Sequence, residues 1–254
     1  MCSSDLETAW LLQRLPAVAR VQPEEALLSA VARALGQWSG SERVAIDLEG
    51  HGREPVGDEL EVSRTVGWFT ALAPLLVDTR ARRADGAALT LAKRARARLQ
   101  ALPQRGLPFM VGRALETAVS ARLRALPKRQ VSFNYLGQFD SLFADGTLFR
   151  PSTIAVGGDR DPQAPREYLL DISALIVDEQ LRIAFSYGCN RHARPTIETL
   201  AARTVGFLRE LIGAAQCGGA TAWDAADFSD LQWNEDDAEA VLAAVQASLC
   251  EGDE

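Results

Sequence analysis

Apolar residues recur at three- and four-residue spacing over residues 23–38, at Ala26, Leu27, Ala30, Val31, Ala34, Leu35 and Trp38. This is the pattern of a helix with one buried stripe. Pro23 and Glu24 suit its first turn and Gly40 its end. Over residues 43–48 the period falls to two: Val44, Ile46 and Leu48 alternate with Arg43, Ala45 and Asp47. That predicts a strand with one buried face, running into the loop Glu49-Gly50-His51-Gly52-Arg53-Glu54. The apolar stretch 66–77 contains Pro74, which predicts a turn and then a short strand over 75–78. Two helices are predicted over 87–102 and 109–126, separated by the breaker-rich segment 103–108. Alternation predicts a strand over 131–136, and 169–177 with 181–187 predict a hairpin turning at Asp178-Glu179-Gln180. Residues 195–214 predict a helix with Ile197, Leu200, Ala201, Val205, Leu208 and Leu211 on one side. Beyond a Gly/Ala-rich link at 218–222, an acidic tail and a last short helix over 235–249 are expected. The mixed order of helices and strands predicts an α/β layered fold around a central sheet, with no strong boundary before Gly218.

Composition acts mainly by exclusion. A chain of 254 residues, 47% of them hydrophobic, can bury a sizeable core. A net charge of -7 runs against a nucleic-acid partner, whose phosphates call for surplus Lys and Arg. Without a long apolar run or a signal-peptide layout, a cytoplasmic location and no membrane partner are expected. Cys2, Cys189, Cys217 and Cys250 show no paired spacing, so neither a metal site nor a disulfide framework is expected. Serine-hydrolase, zinc-enzyme and nucleotide-binding signatures are not found.

Three clusters carry candidate chemistry: Glu49 to Glu54 (EGHGRE), Ser63 to Thr70 (SRTVGWFT) and Ser132 to Asp140 (SFNYLGQFD). Glu49 stands where an alternating strand meets a glycine-flanked turn, a place from which a carboxylate can project into a cleft. A Glu at a strand end is also commonly just solvated or salt-bridged. His51 reads equally as a hydrogen-bonded loop residue, and Arg53 as a partner of Glu54 or Asp58.

Taken in this order, the three clusters resemble consecutive signature motifs of nonribosomal peptide synthetase epimerization domains. The resemblance covers nearly the whole chain from about Glu7, including residues 25–28 and 187–200. It implies the condensation-domain superfamily and a chloramphenicol-acetyltransferase-like lobe with a mixed central sheet and flanking helices. This lobe, residues 7–217, would be the C-terminal one of two that meet at a tunnel, followed by a linker and short helix over 218–254. Residues 1–6 match nothing upstream in the family and read like translated sequencing adapter, so they are expected to be an artefactual leader.

The implied chemistry is removal and return of the α-proton of an aminoacyl or peptidyl thioester, which needs a base on one face, an acid on the other, and donors for the enolate oxygen. By this resemblance Glu49 is the catalytic carboxylate. Asn134, Tyr135 and His51 orient the thioester or its pantetheine arm, although Tyr135 reads nearly as well as a residue packed on the sheet. Gly50, Gly52, Arg53, Arg64, Trp68 and Gly137 are expected to give structural support, Arg64 as an ion-pair partner and Trp68 with Phe69 in core or lobe interface. The implied partners are a peptidyl carrier domain bearing 4′-phosphopantetheine and the N-terminal lobe, which holds the family's His-His motif. The chain's own histidines are His51 and His192, and no cofactor is expected on the chain itself. The lobe alone is therefore expected to be inactive. The family's Gly-x-Gly-Tyr-Gly segment is replaced by Arg105-Gly106-Leu107-Pro108-Phe109-Met110-Val111-Gly112, which puts that loop's role in question. The basic run Lys93, Arg94, Arg96 and Arg98 reads as a solvated helix face, or as a surface for an acidic carrier. A peptide-bond-forming condensation domain fragment and a noncatalytic carrier-binding module are the competing readings.

Overall fold

The computed structural model describes residues 5–55, 61–80, 87–140, 152, 154, 157, 161 and 163–217. The link at 218–222 and the helix expected over 235–249 lie outside the described residues. A five-stranded mixed sheet organises the chain, in the order β2-β1-β3-β4-β5. Its strands are β1 (Arg43–Gly50), β2 (Ala71–Asp78), β3 (Val131–Gln138), β4 (Leu170–Val177) and β5 (Gln180–Tyr187). The central three, β1, β3 and β4, run parallel, while β2 and β5 close the edges antiparallel. The α/β class with a mixed central sheet and flanking helices is thus the fold observed.

One face of the sheet is apolar and covered. Ile46, Leu48, Phe133, Leu170, Ile172 and Ile183 are all at most 3% exposed, and they meet the helices α3 (Pro23–Ser39), α4 (Ala87–Gln100) and α7 (Arg194–Gln216). α3 opens with Pro23 and a reciprocal cap in which the Gln22 amide donates to the Glu25 carboxylate at 2.7 Å, and Gly40 ends it at φ +68°.

Glu25 is only 8% exposed, and burial pushes its carboxyl from 4.5 up to about 7, outweighing the Gln22 bond and the nearby Arg96 and Arg105. A folded pKa above the unfolded one means that folding favours the protonated form. The stability so gained is complete below pH 4.5 and is lost as pH rises through about 7, a loss of up to about 3 kcal/mol. Glu25→Gln keeps an oxygen for the Gln22 amide and cannot ionise. It is therefore expected to raise the urea midpoint at pH 8 and to change it little at pH 4.

Three expectations for local structure are corrected. The strand around Pro74 is the full eight-residue β2, which runs through the proline. β2 is an edge strand, with a partner on one side only, so a residue without an N–H is tolerated. The single helix expected over 109–126 is two short ones, α5 (Leu107–Ala114) and α6 (Ala118–Arg124). Thr117 restarts the second by accepting from the Ser120 amide at 3.1 Å. Before α3 lie helical turns the periodicity did not predict: α1 (Asp5–Ala9), a π-helical turn (Trp10–Arg14) and α2 (Leu15–Ala19). The wide turn leads into Pro16, which has no N–H to give. α1 covers the β5 edge, where Thr8 Oγ1 accepts from the Leu181 amide at 3.0 Å and Asp5 accepts from Gln180 at 2.9 Å.

The hairpin turns at two residues, Asp178 and Glu179, with φ of +53° and +57°. Neither is glycine, yet both φ are positive, as a tight hairpin demands. Asp140, the last residue of the SFNYLGQFD cluster, supports them by accepting from both amides, at 2.7 and 3.4 Å. Within the basic run, Arg96 is half-buried and donates to the Arg20 carbonyl at 3.0 Å, and Arg94 donates to the Arg80 carbonyl at 2.8 Å. These two bonds tie α4 to its neighbours, while Arg94 and Arg98 stay exposed on the helix face.

Candidate active site

Register partners on adjacent strands point to the same side of a sheet, so pairing defines rows of side chains. On the face away from α3, α4 and α7, one row runs Pro74, Asp47, Ser132, Asp171, Ser186 from β2 to β5. The next runs Leu72, Glu49, Asn134, Ser173, Ala184. The second row lies toward the carboxyl ends of the parallel strands, where open α/β sheets place their ligands. The Glu49–Asn134 pair is the last between β1 and β3.

The two rows differ in how their polar groups are satisfied. Asp47, 5% exposed, is held by Arg129 at 2.6 Å and by the Tyr168 hydroxyl at 2.9 Å. Burial, with Asp47 second, pushes the Tyr168 phenol well above its usual range. Ser132 donates to Asp171 at 2.8 Å, and Arg166 bonds both Asp171 and Ser186. The next row has no such partners. Among the described residues, the side chains of Glu49, Asn134 and Ser173 make no hydrogen bond or ion pair, and all three are half-buried. A saturated row is a structural brace. An open row of an acid, an amide and a hydroxyl is what a polar ligand can use.

Behind the brace lies a cavity of about 80 Å³ whose walls include Asp47, Leu72, Phe109, Arg113, Arg129 and Tyr168. It forms because the chain rounds the β2 edge: Gly106, φ +91°, sits against Ala73 on the covered face, and α5 emerges over Leu72 on the other. A Cβ on Gly106 would overlap that of Ala73. At the start of this turn Gln104 and Arg105 also have positive φ, of 42° and 52°. Arg105 is anchored there by Glu24 at 2.6 Å.

The EGHGRE loop is built around its own side chains. His51 accepts from the Arg53 amide at 3.0 Å through Nδ1 and meets Glu54 at 3.2 Å through Nε2. Both ring nitrogens are thus engaged within the loop, and in this state neither is free to orient a substrate. Arg53 lies over the Phe69 ring at 4.3 Å and donates to the carbonyls of Val62, Ser63 and Gly67. It braces the SRTVGWFT loop instead of pairing with Glu54; Asp58 lies outside the described residues. Gly52, φ +64°, passes so close to Phe69 that a Cβ would overlap its carbonyl oxygen, whereas Gly137, φ +79°, has open space around it. Gly137 falls in the β3 bulge between Tyr135 and Gln138, and Gly50 is the last residue of β1. Gly52→Ala combines left-handed strain with a backbone clash and is expected to cost about 3 kcal/mol or more, against about 1 kcal/mol for Gly137→Ala. Thermal unfolding of the two variants checks this ranking.

The structure sets three of the named residues apart from the Glu49–Asn134 row. Tyr135 follows Asn134 and faces the other way: it pairs with Ala174 and packs on the helix-side core, so it does not share the Glu49 face. Trp68 is 90% exposed and outside the core of the described residues; Phe69 is half-buried under Arg53. Arg64 is exposed and has no ion-pair partner among the described residues. The motifs do not single out Ser173 or, apart from Ser132, the brace residues, although Asp47-x-Glu49, Ser132-x-Asn134 and Asp171-x-Ser173 repeat a polar spacing of two on three strands.

Known proteins place this geometry in a family. One of the linear gramicidin synthase proteins of Brevibacillus parabrevis is 35% identical over 244 residues, spanning 94% of this chain and 3% of the relative. Tyrocidine synthase 2 of Brevibacillus parabrevis is 34% identical over 198 residues, 77% of this chain and 5% of the relative. The chain thus spans a small fraction of the curated relatives it matches. Among solved structures, the epimerization domain from the third module of tyrocidine synthetase B superposes with a TM-score of 0.75 at 31% identity, covering 85% of this chain and 48% of that one. The X-domain from teicoplanin biosynthesis shares the fold, with a TM-score of 0.55 at 16% identity, covering 86% of this chain and 47% of that one. The condensation domain family model matches residues 2–221, and this chain belongs to the condensation domain family.

Proposed function

We propose that the chain is the C-terminal lobe of an epimerization domain of a nonribosomal peptide synthetase. In this reading it supplies one wall of the site that inverts the α-carbon of an aminoacyl or peptidyl thioester held on a carrier domain by phosphopantetheine. The observation that carries the reading is the open pair Glu49–Asn134 beside a saturated row on the same face. Similarity to an epimerization domain, of which this chain covers 48%, supports both the activity and the single-lobe reading.

Chemically, the Glu49 carboxylate takes the α-proton from one face of the substrate, and the electron pair moves into the thioester carbonyl. The Asn134 amide donates to the oxygen that gains charge. Return of a proton from the opposite face completes inversion, and in this reading that donor belongs to the N-terminal lobe. The exposed Val66 and Trp68, on the loop braced by Arg53, are apolar surface suited to meeting the other lobe.

The test is to incubate the purified chain with a carrier bearing an L-aminoacyl group in deuterated water, with and without an added N-terminal lobe. Formation of the D product with deuterium at the α-carbon is expected only with both lobes. Peptide-bond formation instead would assign condensation, and carrier binding without exchange would assign a noncatalytic module. Either result overturns the proposal.

A further inference from the structure

The open row has a third polar member, Ser173, whose register partner is Asn134. We infer that Ser173 is a positioning residue: its hydroxyl, unbonded in this structure, turns to donate to Asn134 Oδ1 and so directs the Asn134 NH2 toward the Glu49 side. The inference rests on the proposed epimerase reading and deepens it.

The row below shows that this reach exists. There the β3–β4 register pair Ser132–Asp171 is joined by a hydroxyl donated to a side-chain Oδ1 at 2.8 Å. Asn134–Ser173 is a pair across the same two strands, two residues further along, with the hydroxyl and the acceptor exchanged. Neighbouring strands lie about 4.8 Å apart, a gap that a serine hydroxyl and an Asn side chain bridge together. The hydroxyl is uncommitted, since the Ser173 side chain bonds to no described residue and neither does the Asn134 side-chain amide.

The chemistry needs such a constraint. A carboxamide can present either its oxygen or its NH2 to a ligand, and only the NH2 stabilises a carbonyl oxygen gaining negative charge. Glu49 flanks Asn134 on one side and Ser173 on the other. A hydroxyl donating from the β4 side fixes the oxygen there and leaves the NH2 directed toward the carbon that Glu49 deprotonates. Ser173 touches no reacting atom in this arrangement; it acts through Asn134.

Two measurements test this. In the 15N-labelled full chain, with the Asn134 side-chain NH2 signals identified by their loss in Asn134→Asp, Ser173→Ala is expected to shift those signals and speed their solvent exchange, and Ser173→Thr to restore them. Unmoved signals overturn the inference. In the two-lobe assay, Ser173→Ala is expected to lower kcat about tenfold with KM unchanged, and to have no further effect in an Asn134→Ala background. Equal losses in both backgrounds overturn it. Glu49→Gln separates the two levels: full activity in that variant sinks the epimerase reading itself, whereas an inactive Glu49→Gln beside a fully active Ser173→Ala sinks only the role given to Ser173.

Discussion

Glu49→Gln is expected to slow α-carbon epimerization in the two-lobe assay by at least about a hundredfold, with carrier binding unchanged. The amide keeps the size and hydrogen-bonding shape of the carboxylate but cannot take a proton, and positioned general bases contribute about 10² to 10⁴ in rate. The position favours such a role. Glu49 ends the β1–β3 pairing, is half-buried, and is not held by any described cation. A carboxylate used for structure would sit like Asp47, enclosed by its partners. Solvent-deuterium uptake at the α-carbon is the sharper readout, because it reports proton removal even if inversion stalls. Undiminished uptake in the variant would remove Glu49 from the mechanism.

The elements that could be read from periodicity are those whose large apolar residues keep one period, even where burial extends further, as in α3, whose residues 25–32 are buried on all sides. α3, β1, β3, the hairpin and α7 all follow the stripe or alternation visible in the chain. Pro74 misled because the rule against proline in strands assumes a partner on both sides, and edge position is a tertiary property. Residues 109–126 misled because their apolar content belongs to two short helices packed on each other, α5 also on β2, rather than to one amphipathic face. Within the site, Glu49 and Asn134 were legible as motif residues, but their adjacency was not. It depends on the parallel pairing of strands more than 80 residues apart. Tyr135 shows the reverse case, since alternation alone already sets it on the opposite face from Asn134. Motif adjacency in the chain is not adjacency in space, and strand period decides between them.

The same strand carries the other large expected effect. Asp47→Ala is expected to cost about 3–5 kcal/mol, because it strips the partner from Arg129, whose side chain is only 11% exposed, and leaves a buried cation uncompensated. The Tyr168 hydroxyl, which donates to the same carboxylate, loses its acceptor too. Arg129→Met, combined with Asp47→Ala, is expected to recover part of the loss, since removing both charges is cheaper than removing one. Asp78→Ala, which breaks a pair to a mostly exposed Arg80, is expected to cost under about 1 kcal/mol. Urea denaturation of these variants beside the parent chain checks the order. If Asp47→Ala proves as mild as Asp78→Ala, the lower row is no brace, and the contrast that marks Glu49 as functional goes with it. Two carboxylates on one strand face, two residues apart, are distinguished by what surrounds them: Asp47 is held in place by an arginine and a tyrosine, while no described side chain holds Glu49.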